Sequence, residues 1–143
     1  MPTGSKFLDA IATGAIPTPP FVATLGLPQP ERWEPGRVWS RWEVDPNVLQ
    51  PQGARFGGFI AALADQIAGL ATLSVLNDDE AYATSDLRVS FLRAVREGTL
   101  SIEARVLHRG RAAAHVEVEF TRDDGELAAK AAATQIVTKL ASS

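Results

Sequence analysis

Residues 56–76 read FGGFIAALADQIAGLATLSVL, and this stretch decides the fold. Alanine and leucine dominate it, it is too long for one strand, and its apolar residues fall on every face. The spacing therefore predicts a helix buried nearly all round. Asn77, Asp78 and Asp79 end it, and Pro51 and Gly53 keep the preceding NVLQPQGAR from being helical. The run is apolar enough to raise a membrane span. Asp65, Gln66 and the two glycines at its start, with no interfacial anchors alongside, favour a helix buried in protein instead.

Beyond the helix the period changes from helical to alternating. Strands are expected from Tyr82 to Leu92, Thr99 to Leu107, Ala112 to Thr121 and Leu127 to Thr138. Arg96-Glu97-Gly98, the HRGR stretch at 108–111 and Asp123-Asp124-Gly125 separate them. Leu87, Val89 and Phe91 share one face, as do Val116, Val118 and Phe120, so each strand offers a sheet one apolar side. Before the helix, Arg37 to Val44 alternates with Val38, Ser40, Trp42 and Val44 on one face. Residues 1–36 read as a proline-rich lead-in with a short helix from Lys6 to Thr13, in which Pro17, Pro19, Pro20, Pro28, Pro30 and Pro35 forbid any long element. One long buried helix followed by antiparallel strands is most simply satisfied by an α+β fold, a curved sheet wrapped around that helix. With 143 residues, one domain spanning 1–143 is expected.

Composition narrows the function classes. The net charge of -3 and scattered basic residues leave no electrostatic footprint for nucleic acid. The chain has no cysteine and only His108 and His115, so disulfides, thiolate sites and a histidine-rich metal site are all disfavoured, and no metal or cofactor is expected. The N-terminal MPTGSKFLDAIATG lacks the basic start and long apolar run of a secretory signal, which makes the cytoplasm the expected location.

Asp65 asks for an explanation, because it is the only charged residue between Arg55 and Asp78. A buried carboxylate is costly unless it is paired, protonated or functional. One reading makes Asp65 a general base or nucleophile in an apolar setting. The other places it on a thin exposed stripe with Gln66, or has it cap a neighbouring loop. Gly57-Gly58 at the start of the helix would let a ligand approach free backbone N–H groups, where the helix dipole favours developing negative charge; alternatively it is only a tight loop-to-helix turn. Gly57 and Asp65 are eight residues apart. Along one helix that is roughly 12 Å at ~1.5 Å per residue, too far to serve one carbonyl carbon. Two chains with antiparallel helices would bring Gly57 of one to Asp65 of the other, so a catalytic reading requires a homodimer.

Over almost its whole length the sequence resembles the hot-dog thioesterases, in particular the phenylacetate-pathway and 4-hydroxybenzoyl-CoA thioesterase-like group. The family pattern of His-Gly-Gly, an Asp or Glu nine positions after the His and a Gly four later is matched by Phe56-Gly57-Gly58, Asp65 and Gly69. TSDLRVSFLRAVREGTLSIEARVLHRGR (84–111) is similar to the next two strands, including Phe91-Leu92-Arg93 and the Gly110-Arg111 hairpin, and DDGELAAKAAAT (123–134) completes the match.

The resemblance implies hydrolysis of an acyl-CoA thioester to free acid and CoA, with CoA entering only as part of the substrate. The Gly57 N–H would polarise the carbonyl and Asp65 would activate water or attack directly. Gln50, six residues before Phe56, takes the place of an Asn or Gln that positions water or the carbonyl, and Thr84 lies near a Ser or Thr that stands beside the carboxylate. Phe56 and Gly58 would border the substrate. Arg88, Arg93, Arg109 and Arg111 are candidates for the CoA phosphates, with Arg93 and Arg111 preferred. A homodimer, or a dimer of dimers joined through outward residues such as Arg88 and Ser90, is implied as well.

Phe56 departs from the pattern, since it can neither donate a hydrogen bond nor take a proton where the family has His. That departure motivates a second function, a non-catalytic acyl-CoA or acyl-chain binding protein of the same fold. A hot-dog dehydratase is disfavoured, because such enzymes rely on a catalytic His and neither histidine lies near the helix.

Overall fold

The computed structural model describes residues 4–48, 51–53 and 57–141. Helices α1 (Ser5–Ala12) and α2 (Pro20–Leu25) precede strands β1 (Pro30–Glu34) and β2 (Arg37–Glu43); helix α3 (Gly57–Leu73) follows. Four strands complete the chain: β3 (Glu80–Phe91), β4 (Thr99–Arg109), β5 (Ala113–Thr121) and β6 (Leu127–Lys139). All pair antiparallel in one sheet of order β1-β2-β4-β5-β6-β3. After β2 the chain crosses the concave face as α3 and re-enters the sheet at its far edge as β3. The result is the expected hot-dog architecture, a curved sheet around one long helix.

Small side chains let helix and sheet come close. Ala64, Ala68 and Ala71 of α3 are buried in one cluster with Ala104 of β4 and Ala129, Ala131 and Ala133 of β6, together with the larger Leu63, Ile67, Val116, Val118 and Phe120. Each large aliphatic buried there contributes ~1.5–3 kcal/mol. The β2 alternation is as expected, with Val38, Ser40 and Trp42 buried. Trp42 stacks on Phe59 at a centroid separation of 5.0 Å, pinning the first turn of α3 to the sheet.

Two expectations need correcting. Helix α3 is not buried nearly all round in the single chain. Its sheet-facing side is covered, but Gly58 and Asp65, seven residues and thus about two turns apart, are exposed, with Ala61 and Ala62 half-buried between them. Alanine and glycine carry no pattern by which composition could tell a covered face from an open one. The lead-in is also more structured than its prolines suggested. Pro20 opens α2, Gly26 closes it in the left-handed region at φ 65°, and β1 pairs with β2 as an edge strand, where Pro30 gives up no ladder bond the fold requires. Helix α3 stops three residues short of Leu76: the Ser74 hydroxyl donates to the Ala71 carbonyl and accepts from the Gly36 N–H, turning the chain out of the helix. No described helix is long and apolar enough to cross a membrane.

Candidate active site

Helix α3 runs opposite in direction to β3, so pairs along the two elements meet in reverse order. Phe91 lies over Gly57, Thr84 reaches Asp65, and Tyr82 lies over Gly69. A strictly alternating strand could not make all three contacts, because Tyr82 and Thr84 belong to one phase and Leu87, Val89 and Phe91 to the other. A bulge resolves the conflict. Thr84 pairs with Gln135 and Asp86 with Thr134, leaving Ser85 as the extra residue that switches the inward phase.

The Thr84 hydroxyl donates to Asp65 Oδ1 at 2.8 Å, and its oxygen also lies 2.8 Å from Gln135 Oε1. Gln135 is fully buried at the inward position following Ala131 and Ala133, and its Nε2 has no hydrogen-bond partner among the described residues. Asp65 is exposed on the open face of α3, and Gln66 beside it donates to the Pro28 carbonyl at 3.0 Å, tying the lead-in to the helix. Asp65 thus shares an open stripe as one sequence reading held, and that stripe is where a hydroxyl from the sheet edge addresses its carboxylate.

Asp65, Gln66 and Tyr82 border a cavity of about 340 Å³ that is otherwise lined by α1, α2, the chain around them as far as Pro30 and further residues of α3, with Phe7, Ile11, Phe21, Leu25 and Leu70 on its walls. Burial pushes the Tyr82 hydroxyl above its ordinary pKa, and the charge of Asp65 adds to the displacement. The phenol therefore stands neutral beside the carboxylate at ordinary pH. A charged group on the wall of an apolar cavity is the usual composition of a small-molecule site, and the volume is at the lower end of the ~300–1,000 Å³ such sites occupy.

Of the other residues singled out from the sequence, Gly57 opens α3 and Gly58 is exposed beside it. Gln50 and Phe56 lie outside the described residues. Arg93 bonds the Leu127 carbonyl at 2.7 Å and pairs with Glu126 at 3.2 Å, near the Gly57 end of the site. Arg111 is exposed in the β4–β5 hairpin; the adjoining Ala112 carbonyl accepts from Val137, the partner of Tyr82, so this hairpin is at the Thr84 end. Arg88 is exposed on the convex face, away from α3. Arg109 forms an ion pair with the buried Glu80 and so helps close the end of the sheet. Sequence reasoning missed Gln135 and Tyr82. The available signal for Gln135 was phase, since it continues the inward series Ala129, Ala131, Ala133 as its one polar member.

A family model for the thioesterase superfamily matches residues 52–129, a span that holds α3, β3, β4 and β5, and therefore both Asp65 and Thr84. The proofreading thioesterase EntH of Klebsiella pneumoniae is 30% identical over 105 residues, covering 73% of this chain and 76% of that one. Among solved structures, a phenylacetic acid degradation-related protein from Ralstonia eutropha JMP134 matches with TM-score 0.82 and 30% identity over 90% of this chain and 98% of that one. A Streptococcus mutans UA159 protein bound to acetyl CoA matches with TM-score 0.72 and 32% identity over 79% of this chain and 90% of that one. By sequence and by architecture alike, the chain belongs to the thioesterase superfamily and is a thioester hydrolase of the hot-dog fold.

Proposed function

We propose that this protein hydrolyses acyl-CoA thioesters in a two-fold dimer, with Asp65 as general base. The observation that carries the proposal is the Thr84–Asp65 hydrogen bond at the wall of the apolar cavity. Among the described residues the carboxylate is held by one donor; it is reachable from solvent and next to a space fit for an acyl group but too small for a whole CoA ester. A solved relative with acetyl CoA bound supports the choice of thioester.

In this mechanism Asp65 takes a proton from a water molecule whose oxygen attacks the thioester carbonyl carbon. Negative charge develops on the carbonyl oxygen, where the free N–H at the start of α3 stabilises it. The tetrahedral intermediate collapses by breaking the C–S bond, and the departing thiolate recovers the proton, leaving free acid and CoA. The N–H is supplied by Gly57 of a second copy, since eight residues separate Gly57 from Asp65 within one chain. Two further features favour such a dimer: among the described residues β3 is an edge strand of 12 residues paired on one side, and the open stripe of α3 beside it carries Gly58, Ala61, Ala62 and Asp65. Arg111, exposed at the Thr84 end, is the arginine best placed for CoA phosphates; Arg93 is engaged by Glu126 and Arg88 faces away.

The test follows free thiol released from a panel of aryl and short to medium aliphatic acyl-CoA thioesters, with Asp65→Ala alongside. Turnover that vanishes in the variant is expected. Turnover retained at the wild-type rate would remove Asp65 from the mechanism, and tight binding with no turnover of any ester would make this an acyl-CoA binding protein.

A further inference from the structure

We propose that Gln135 is a positioning residue that commits the Thr84 hydroxyl to Asp65. A threonine hydroxyl has one proton to give. Two acceptor oxygens, Asp65 Oδ1 and Gln135 Oε1, each stand 2.8 Å from Thr84 Oγ1, so one of the two contacts would be oxygen against oxygen with no proton between. The same amide carries a buried Nε2 with no partner among the described residues. A half-turn about Cγ–Cδ answers both, because the two ends of the amide have the same shape. Nε2–H then donates to Thr84 Oγ1, and the hydroxyl is left with Asp65 as its only acceptor. The exchanged Oε1 takes the unpaired position, where a carbonyl oxygen is better tolerated than a buried N–H.

The fold holds this chain of donors in place. Gln135 is directly opposite Thr84 in the β3–β6 ladder and is fully buried, and the Ser85 bulge beside it keeps Thr84 aimed at α3. A serine or threonine next to a carboxylate can in general turn its proton to water; here the second bond from Gln135 removes that freedom and orients the carboxylate oxygen that is not bonded. Gln135 touches no substrate and acts only through Thr84.

The inference rests on Asp65 as the reacting carboxylate, and two measurements separate its failure from the failure of that reading. The first is a double-mutant cycle on turnover. Gln135→Met keeps the length of the side chain without its hydrogen bonds, and is expected to lower kcat about tenfold, the worth of one neutral hydrogen bond, while KM stays within about twofold. In a Thr84→Val background the same change is expected to do nothing further. A loss of equal size in both backgrounds would overturn the proposal, since Gln135 would then act without Thr84. The second is the side-chain amide signal of Gln135 in nitrogen-15 NMR, which needs neither turnover nor a folded Gln135 variant. That signal is expected to be slow to exchange and to move in Thr84→Val; a signal indifferent to Thr84→Val overturns the proposal. A Thr84-dependent signal in a protein that cleaves no thioester upholds the hydrogen bond and removes the hydrolase reading alone.

Discussion

The Tyr82 ring occupies the space that a side chain on Gly69 would need: a β-carbon there would stand 2.9 Å from Tyr82 Cζ and closer still to its hydroxyl. Gly69 lies one turn beyond Asp65, so the missing side chain on the helix is what admits a phenol to the cavity wall. Two effects compete in Gly69→Ala. Helix propensity favours alanine by ~1 kcal/mol, whereas forcing extra volume into a packed site costs ~1–3 kcal/mol. The stiff ring makes the second prevail. The expected outcome is a lowered midpoint in urea unfolding together with a changed preference among acyl chains; an unchanged or raised midpoint would show that Tyr82 moves aside freely.

Tyr82 is the only tyrosine in the chain, so its ionisation can be followed by phenolate absorbance without interference. Burial first, and the Asp65 charge second, raise its pKa above the ordinary value near 10. Asp65→Asn removes the second cause only, and the titration is expected to shift part of the way back. The sign for stability follows from linkage. The folded state holds the phenol proton more tightly than the unfolded chain, so this contribution is complete below the unfolded pKa and is lost as pH rises through the folded one. A titration identical in Asp65→Asn would mean that the two groups do not sense each other across the cavity.

Deleting Ser85 tests the bulge. Thr84 and Asp86 then become neighbours opposite Gln135 and Thr134, and strict alternation keeps Tyr82, Thr84, Leu87, Val89 and Phe91 all on the inward face. What the deletion removes is the local bend and added twist of the bulged strand. Thermal unfolding is expected to remain cooperative with little change in Tm, and thioester cleavage to be retained; a sharp fall in cleavage at an unchanged Tm would show that the bend itself is needed to aim Thr84 at Asp65.

What could be read from the sequence, and what could not, follows from how far each signal reaches. The helix at 57–73 and the four strands after it announce themselves by period and turn residues, which are local properties. Asp65 stood out because charge is conspicuous in an apolar run. The open face of α3 did not, because whether an alanine is covered depends on partners elsewhere in the chain. Strand β1 was hidden by prolines that an edge position tolerates. The phase switch at Ser85 leaves no residue signature at all, since it shows only once β3 is laid against β6. Gln135 was hidden in the same way: its neighbour across the ladder, Thr84, is 51 residues away, and only their pairing gives the buried amide a purpose.

The proposed dimer makes a quantitative prediction. Gly57 is the first residue of α3, where proline fits the helix and lacks the N–H in question. Gly57→Pro should therefore abolish the stabilisation of the carbonyl oxygen while α3 remains, with Phe91, whose ring is 3.1 Å from where a β-carbon would stand, yielding because it is 57% exposed. Alone, this variant and Asp65→Asn should each be nearly inactive. If each site takes Gly57 from one protomer and Asp65 from the other, a hybrid of the two variants contains one site with both groups intact and one with neither. Random exchange of equal amounts makes half the dimers hybrids with one working site out of two, so about a quarter of the wild-type activity should return on mixing. Activity that stays at the level of the separate variants, in samples shown to have exchanged subunits, would place both groups in a site belonging to a single chain.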